Sequence, residues 1–136
     1  MNNRYEELKT AINDYSWMRS ECFRLESELH SLNTGNEGLS GLPGVGLAST
    51  NTKVMETRQA TVRRLNKRYS RYKKTISAVE SIADDIQTAR EGVILDCRLD
   101  GMTITAISKH MNLSRRTIYR TIEDIIKEHL QKDHNG

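Results

Sequence analysis

The stretch Asp100–Leu130, DGMTITAISKHMNLSRRTIYRTIEDIIKEHL, reads as a short helix, a tight turn and a longer basic helix. Thr103 has the side-chain oxygen needed to cap a first helix that carries Ile104, Ile107 and Met111 on one face. Asn112 follows, one of the few residues other than glycine that tolerates a positive φ, and it ends that helix. Leu113 then turns into the core and Ser114 caps the next helix. Ile118, Ile122, Ile125 and Ile126 recur at helical spacing and point inward. Arg115, Arg116, Tyr119 and Arg120 are left together on the outer face. Short helix, αL turn and longer helix make a helix-turn-helix.

Upstream of this motif, Thr88 and Glu91 form a T-x-x-E capping-box pattern, so a supporting helix is expected from there to about Leu99, with Val93, Ile94, Cys97 and Leu99 as its apolar set. Asp100 and Gly101 supply the turn into the motif. A three-helix domain over residues 88–131 results, with a frayed tail at 132–136. Between about Lys53 and Ile86, Val62, Leu65, Tyr69, Tyr72, Ile76, Val79, Ala83 and Ile86 alternate by threes and fours, the signature of a long amphipathic helix. A similar stripe covers residues 4–33, through Tyr5, Leu8, Ile12 and Tyr15 and then Met18, Cys22, Leu25, Leu29 and Leu32. It slips by one residue between Tyr15 and Met18, beside Trp17, as a stammer does. Five glycines and Pro43 mark 34–52 as a Gly-rich loop that joins the two helices, and its Leu39, Leu42, Val45 and Leu47 give it apolar groups with which to dock.

The expected fold class is therefore all-α: a long, coiled-coil-like N-terminal helical hairpin over 1–87, followed by the C-terminal helix-turn-helix domain. An antiparallel hairpin within one chain is the simplest way to bury both stripes, and a homodimer that pairs equivalent helices is the alternative. Composition agrees with long helices. Of 136 residues, 29% are charged and 36% apolar, with one Phe, one Trp and one Pro. No apolar run approaches membrane-spanning length and MNNRYEELK lacks the core of a signal peptide, so the expected partners exclude a membrane and the expected location is the cytoplasm.

Chemistry is expected at DNA rather than at a catalytic centre. Arg115, Arg116, Tyr119 and Arg120 lie in the first two turns of the second helix, from which side chains reach base edges in the major groove. Ser114, Thr117, Thr103 and Lys109 are placed for phosphates, which fix register without reading sequence. Between Lys53 and Lys74 nine basic residues face a single acid, Glu56. Within that run Arg63, Arg64, Lys67, Arg68, Arg71 and Lys74 are candidates for a second DNA contact, and a solvated helix face is the plainer account. Acids outnumber bases between Ser77 and Asp100; a contact with a protein such as RNA polymerase is one use for them, and a solvated surface is the plainer account. The four histidines are scattered and unpaired, two cysteines are too few for a disulfide or zinc framework, and the loop lacks the Lys of a phosphate-binding G-x-x-x-x-G-K-[ST]. No metal, cofactor or enzymatic role is expected.

The residues Ile107, Met111, Asn112, Leu113, Ser114, Thr117 and Ile118, in ISKHMNLSRRTIYR, resemble the I-A-x-x-L-G-[LIV]-S-x-x-T-[VI] core of sigma factor region 4. Ser108 stands where that pattern has Ala, and Asn112 where it has Gly. The wider layout, two long helices around a Gly/Pro loop before such a domain, resembles the phage late-transcription regulators of the RinA and ArpU type. That resemblance implies a double-stranded-DNA-binding activator of phage or prophage late genes, working with the RNA polymerase of a bacterial host. The alternative is a small terminase-like DNA-packaging subunit, in which the DNA-binding domain typically precedes the oligomerisation helices, the reverse of the order here.

Overall fold

A computed structural model describes residues 3–40 and 48–135, and these form five α-helices: α1 (Asn3–Ser40), α2 (Ala48–Asp84), α3 (Ala89–Leu99), α4 (Ile104–Met111) and α5 (Arg115–Asn135). The all-α expectation holds, and no strand occurs among the described residues. None of their helices is long and apolar enough to cross a membrane.

The helices extend further into the Gly-rich region than composition suggested. A loop over 34–52 was expected, yet α1 continues through Gly35 and Gly38 to Ser40 and α2 begins at Ala48. Nucleation is the costly step in helix formation, whereas an interior glycine adds only about 1 kcal/mol relative to alanine, so a long helix propagates through isolated ones. Thr34 folds its hydroxyl back onto the His30 carbonyl at 2.8 Å, which keeps that polar side chain compatible with the helix. The docking expected of Leu39, Leu42, Val45 and Leu47 concerns side chains outside the described residues.

The expected stammer in the first stripe is also displaced. Leu8, Ala11, Met18, Cys22, Leu25 and Leu29 are buried, with Tyr15 and Leu32 half-buried, and these positions alternate by three and four without interruption. Counting Ile12 instead of the smaller Ala11 placed the slip beside Trp17; with half-buried Tyr5 included it falls at Leu8 instead. Ile12 is also fully buried, so α1 has a wider apolar arc there than one seam requires.

Packing divides the chain into two compact units, Met1–Arg19 with Lys74–Gly136, and Ser20–Lys73. In the second unit, Leu25, Leu29 and Leu65 form the buried cluster, edged by Leu32, Val62, Tyr69 and Tyr72. The Tyr69 hydroxyl donates to the Glu26 carboxylate at 2.6 Å, so the ring packs while its polar tip stays at the rim. In this unit Glu26 meets Tyr69 while Leu32 and Asn33 share a cavity with Met55–Arg63, so α1 and α2 run antiparallel.

The first unit has the larger core. Leu8, Ile12, Val79, Ile82, Ile94, Leu95, Ile107, Ile118 and Ile126 are each at most 1% exposed. Helices α3, α4 and α5 pack on one another in all three pairings. This unit contains the whole of 88–131 together with the start of α1 and the end of α2.

Candidate nucleic-acid interface

The helix-turn-helix is assembled from local rules that can be followed residue by residue. Helix α3 starts at N-cap Thr88, where expected, but the capping box does not form: Thr88 makes no side-chain cap bond. Glu91 instead lines a small cleft with Asp85, His129 and Lys132. At the other end of α3, Asp100, Gly101 and Met102 donate back to the carbonyls of Asp96, Arg98 and Cys97 at 2.9–3.1 Å. Gly101 sits at φ 95°, and a Cβ there would lie 3.0 Å from the Ser16 hydroxyl, so close approach to α1 as well as backbone conformation calls for glycine.

Arg98 locks this corner. Its guanidinium donates to the Asn13 side-chain carbonyl at 3.1 and 3.2 Å and to the Met102 carbonyl at 2.8 Å. The turn leading into α4 is thereby tied to α1.

Thr103 caps α4 by accepting from Ala106 N at 3.1 Å, as expected. Asn112 ends the helix in the left-handed region, φ 55° and ψ 45°, also as expected. The tight turn has a further lock. Leu113 N donates to the Ser108 carbonyl at 3.0 Å and the Ser108 hydroxyl donates to the Leu113 carbonyl. Ser108 is the residue that departs from the alanine of the sigma-like pattern, and here the hydroxyl closes the turn. Leu113 itself is half-buried rather than fully inside. Ser114 then caps α5, its oxygen accepting from Thr117 N at 3.1 Å and lying 2.8 Å from the Thr117 hydroxyl.

Helix α5 is held by Ile118, Ile122, Ile125 and Ile126, all buried. Arg115, Arg116, Tyr119 and Arg120 are exposed on its first two turns. Arg116 and Arg120, four apart, stand in the row opposite the isoleucines, and Arg115 and Tyr119 form a second row beside it. Among the described residues no hydrogen bond or ion pair engages the three guanidinium groups, in contrast to Arg4, Arg19, Arg24 and Arg98. Thr103 and Ser114 are exposed although committed as caps, Lys109 is exposed at the end of α4, and Thr117 is half-buried.

The candidates on α2, Arg63, Arg64, Lys67, Arg68, Arg71 and Lys74, lie along one face of a continuous helix. Arg63, Arg64, Lys67 and Arg71 are exposed on the part of α2 in the second unit. Arg68 is half-buried beside Glu21, whose carboxyl is held below its usual range first by its hydrogen bond with Arg24 and further by the charges of Arg24 and Arg68. Lys74 belongs to the first unit and lines an open groove of about 880 Å³ with Arg4, Glu7, Leu8, Asp14 and Met18. That groove contains no residue of α3, α4 or α5 in its lining.

Sequence reasoning treated the histidines as scattered, but His129 is 6% exposed and held at both ring nitrogens. Its Nδ1 lies 3.1 Å from Asp85 and its Nε2 3.5 Å from Asp133. The position was visible in the sequence as one turn beyond Ile125 and Ile126 on the inward row. Neither cysteine is in a disulfide, and among the described residues no group of three or more His, Cys, Asp or Glu could hold a metal ion.

Residues 85–128 match the homeodomain-like domain family, covering α3, α4 and the first two-thirds of α5. Over the whole length, the uncharacterized protein YqaQ of Bacillus subtilis (strain 168) is 33% identical across 137 residues, which is 95% of this chain and 90% of that protein. No solved structure matches.

Proposed function

The chain belongs to the family of the Bacillus subtilis protein YqaQ, and we propose that it is a sequence-specific transcription regulator that reads double-stranded DNA with the first two turns of α5. The observation that carries this reading is the set of three unengaged guanidinium groups on a helix oriented by a doubly locked turn. A rigid helix with free donors at its N-terminal end has the geometry of major-groove readout. Ser114, Thr117, Thr103 and Lys109 serve the phosphates.

Within this reading the protein is an activator of phage or prophage late genes in the cytoplasm of a bacterial host, working beside RNA polymerase. The resemblance of Ile107–Ile118 to sigma factor region 4, and of the layout to RinA and ArpU regulators, supports that role. Arg63, Arg64, Lys67 and Arg71 add a sequence-independent contact to DNA, with Arg68 and Lys74 at its margins. A homodimer would present two reading helices at once.

The test is genome-wide binding in the host, followed by equilibrium binding to the recovered site. Arg116→Ala and Arg120→Ala should weaken binding to the cognate site more than to random DNA. Neutralising Lys67, Arg68 and Arg71 together should weaken both equally and reduce the slope of log affinity against log salt by about 0.9 for each phosphate no longer neutralised. Equal losses on both targets for the α5 variants would overturn base reading by α5. A ring of about eight subunits in solution would favour the packaging role instead.

A further inference from the structure

The reading surface on α5 is short, and its boundaries lie in the same helix. The outward row begins with Arg116 and Arg120, but one turn further on it meets Glu123 and Asp124. Two carboxylates repel phosphates as strongly as the arginines attract them. The same charges reach α1: the Tyr5 phenol is pushed up, first by burial and then by Glu123, Glu6 and Asp124. The stretch of that row free of acids therefore runs from Arg115 to Arg120, about 9 Å along the axis at 1.5 Å per residue, with exposed Lys127 beyond the two carboxylates. At about 3.4 Å per base pair, that length spans roughly three base pairs.

All the strong donors in this window are guanidinium groups, and no Asn, Gln, Asp or Glu lies between Arg115 and Arg120. Asn and Gln are the side chains that bond adenine in bidentate fashion, and Asp and Glu accept from cytosine, so neither base has its usual reader here. Guanine does, since arginine spans its O6 and N7. Arg116 and Arg120 are free to do so and stand about 6 Å apart along the axis, a distance of one to two base-pair steps.

We propose that α5 recognises a short, guanine-defined half-site of about three base pairs, with Arg116 and Arg120 each bonded to the major-groove edge of one guanine. This rests on the DNA-reading function proposed above and specifies its ligand. Arg115 and Tyr119, in the flanking row, are positioned for the backbone beside those guanines.

The test selects sites from random duplexes with the full-length chain and then replaces single guanines in the winning duplex. Two guanines one or two steps apart should be fixed in every selected half-site. Replacing either with 7-deazaguanine, which lacks the N7 acceptor, should weaken binding roughly 5- to 150-fold, the range of a bidentate base contact. Inosine, which keeps N7 and O6, should bind like guanine. Arg116→Ala should abolish discrimination at one of these positions and Arg120→Ala at the other. Both side chains are solvent-exposed, and the 7-deazaguanine measurement uses the unaltered protein. A sequence-specific site without fixed guanines, or one indifferent to 7-deazaguanine, overturns the guanine assignment and leaves the DNA-reading function standing. Selection that yields no sequence preference overturns both.

Discussion

The two compact units bury helices by different means. In Ser20–Lys73, two helices share a thin seam of three buried leucines, edged by Tyr69 and Tyr72, while ion pairs such as Arg24 with Glu21 and Glu28 stay within α1. In Met1–Arg19 with Lys74–Gly136, five helical segments enclose a continuous isoleucine-rich core. β-Branched isoleucine keeps few rotamers in a helix, so such a core fixes α5 in one orientation. The base reading proposed for α5 would need that rigidity, because misplaced guanidinium groups lose bidentate geometry. A two-helix seam edged by phenols has no comparable demand on it.

The sharpest way to break this contrast is to cut a cavity in each core. Ile118→Ala, at a fully buried position on the inward row of α5, should cost about 4 kcal/mol and abolish specific DNA binding, as read by denaturant unfolding and by titration with the cognate site. Leu65→Ala, in the thin seam, should cost nearer 2 kcal/mol because one edge of that cluster can collapse, and cognate-site affinity should survive. If Leu65→Ala removed specific binding as completely as Ile118→Ala, the two regions would not be functionally separable.

A smaller effect is expected where the first unit ties its turn to α1. Arg98→Ala removes hydrogen bonds to Asn13 and to the Met102 carbonyl and should cost about 2 kcal/mol, in the range of charge-assisted bonds. Specific binding should weaken along with stability, and Arg98→Lys should recover only part, since an ammonium lacks the planar fork. Full binding by Arg98→Ala at a temperature where it remains folded would show that α1 does not position the reading helix.

The smallest effect concerns pH. Tyr15 donates to Glu80 at 2.8 Å, and its phenol is held above the ordinary tyrosine range, first by burial and then by that hydrogen bond. A raised folded-state value means that this contribution is complete below about pH 10, the ordinary value, and is lost as pH rises past the folded one. Unfolding followed from about pH 9 to about pH 11 should show a steeper loss for the native chain than for Tyr15→Phe. Identical slopes would remove Tyr15 from the alkaline response.

Much of the candidate interface is legible in the sequence alone. Thr103, Asn112 and Ser114 act within three or four residues of themselves, and caps and left-handed turns are local chemistry. The isoleucine period of α5 fixes which side faces out, and with it Arg116 and Arg120. The misreadings share a cause as well. The Thr88–Glu91 box failed because Glu91 joins a cleft built with residues far away in sequence. The first seam seemed to slip beside Trp17 because Ala11 is too small to stand out in a pattern of larger residues. Ser108 looked like a tolerated substitution, and only the folded turn brings its hydroxyl to Leu113. Glycine content overstated the loop, since composition does not register how readily a long helix propagates through isolated glycines.

By itself, then, the sequence determined the helices, the turn that joins α4 to α5 and the identity of the exposed row, because each follows from φ/ψ preference, capping and periodicity over a few residues. Tertiary structure alone decided what completes the helix-turn-helix. Asn13 meets Arg98 and Ser16 lies against Gly101, so the start of α1 braces the corner between α3 and α4. No local rule contains that information. An amphipathic stripe specifies that a face must be buried, and only the packing of the whole chain selects the surface that buries it.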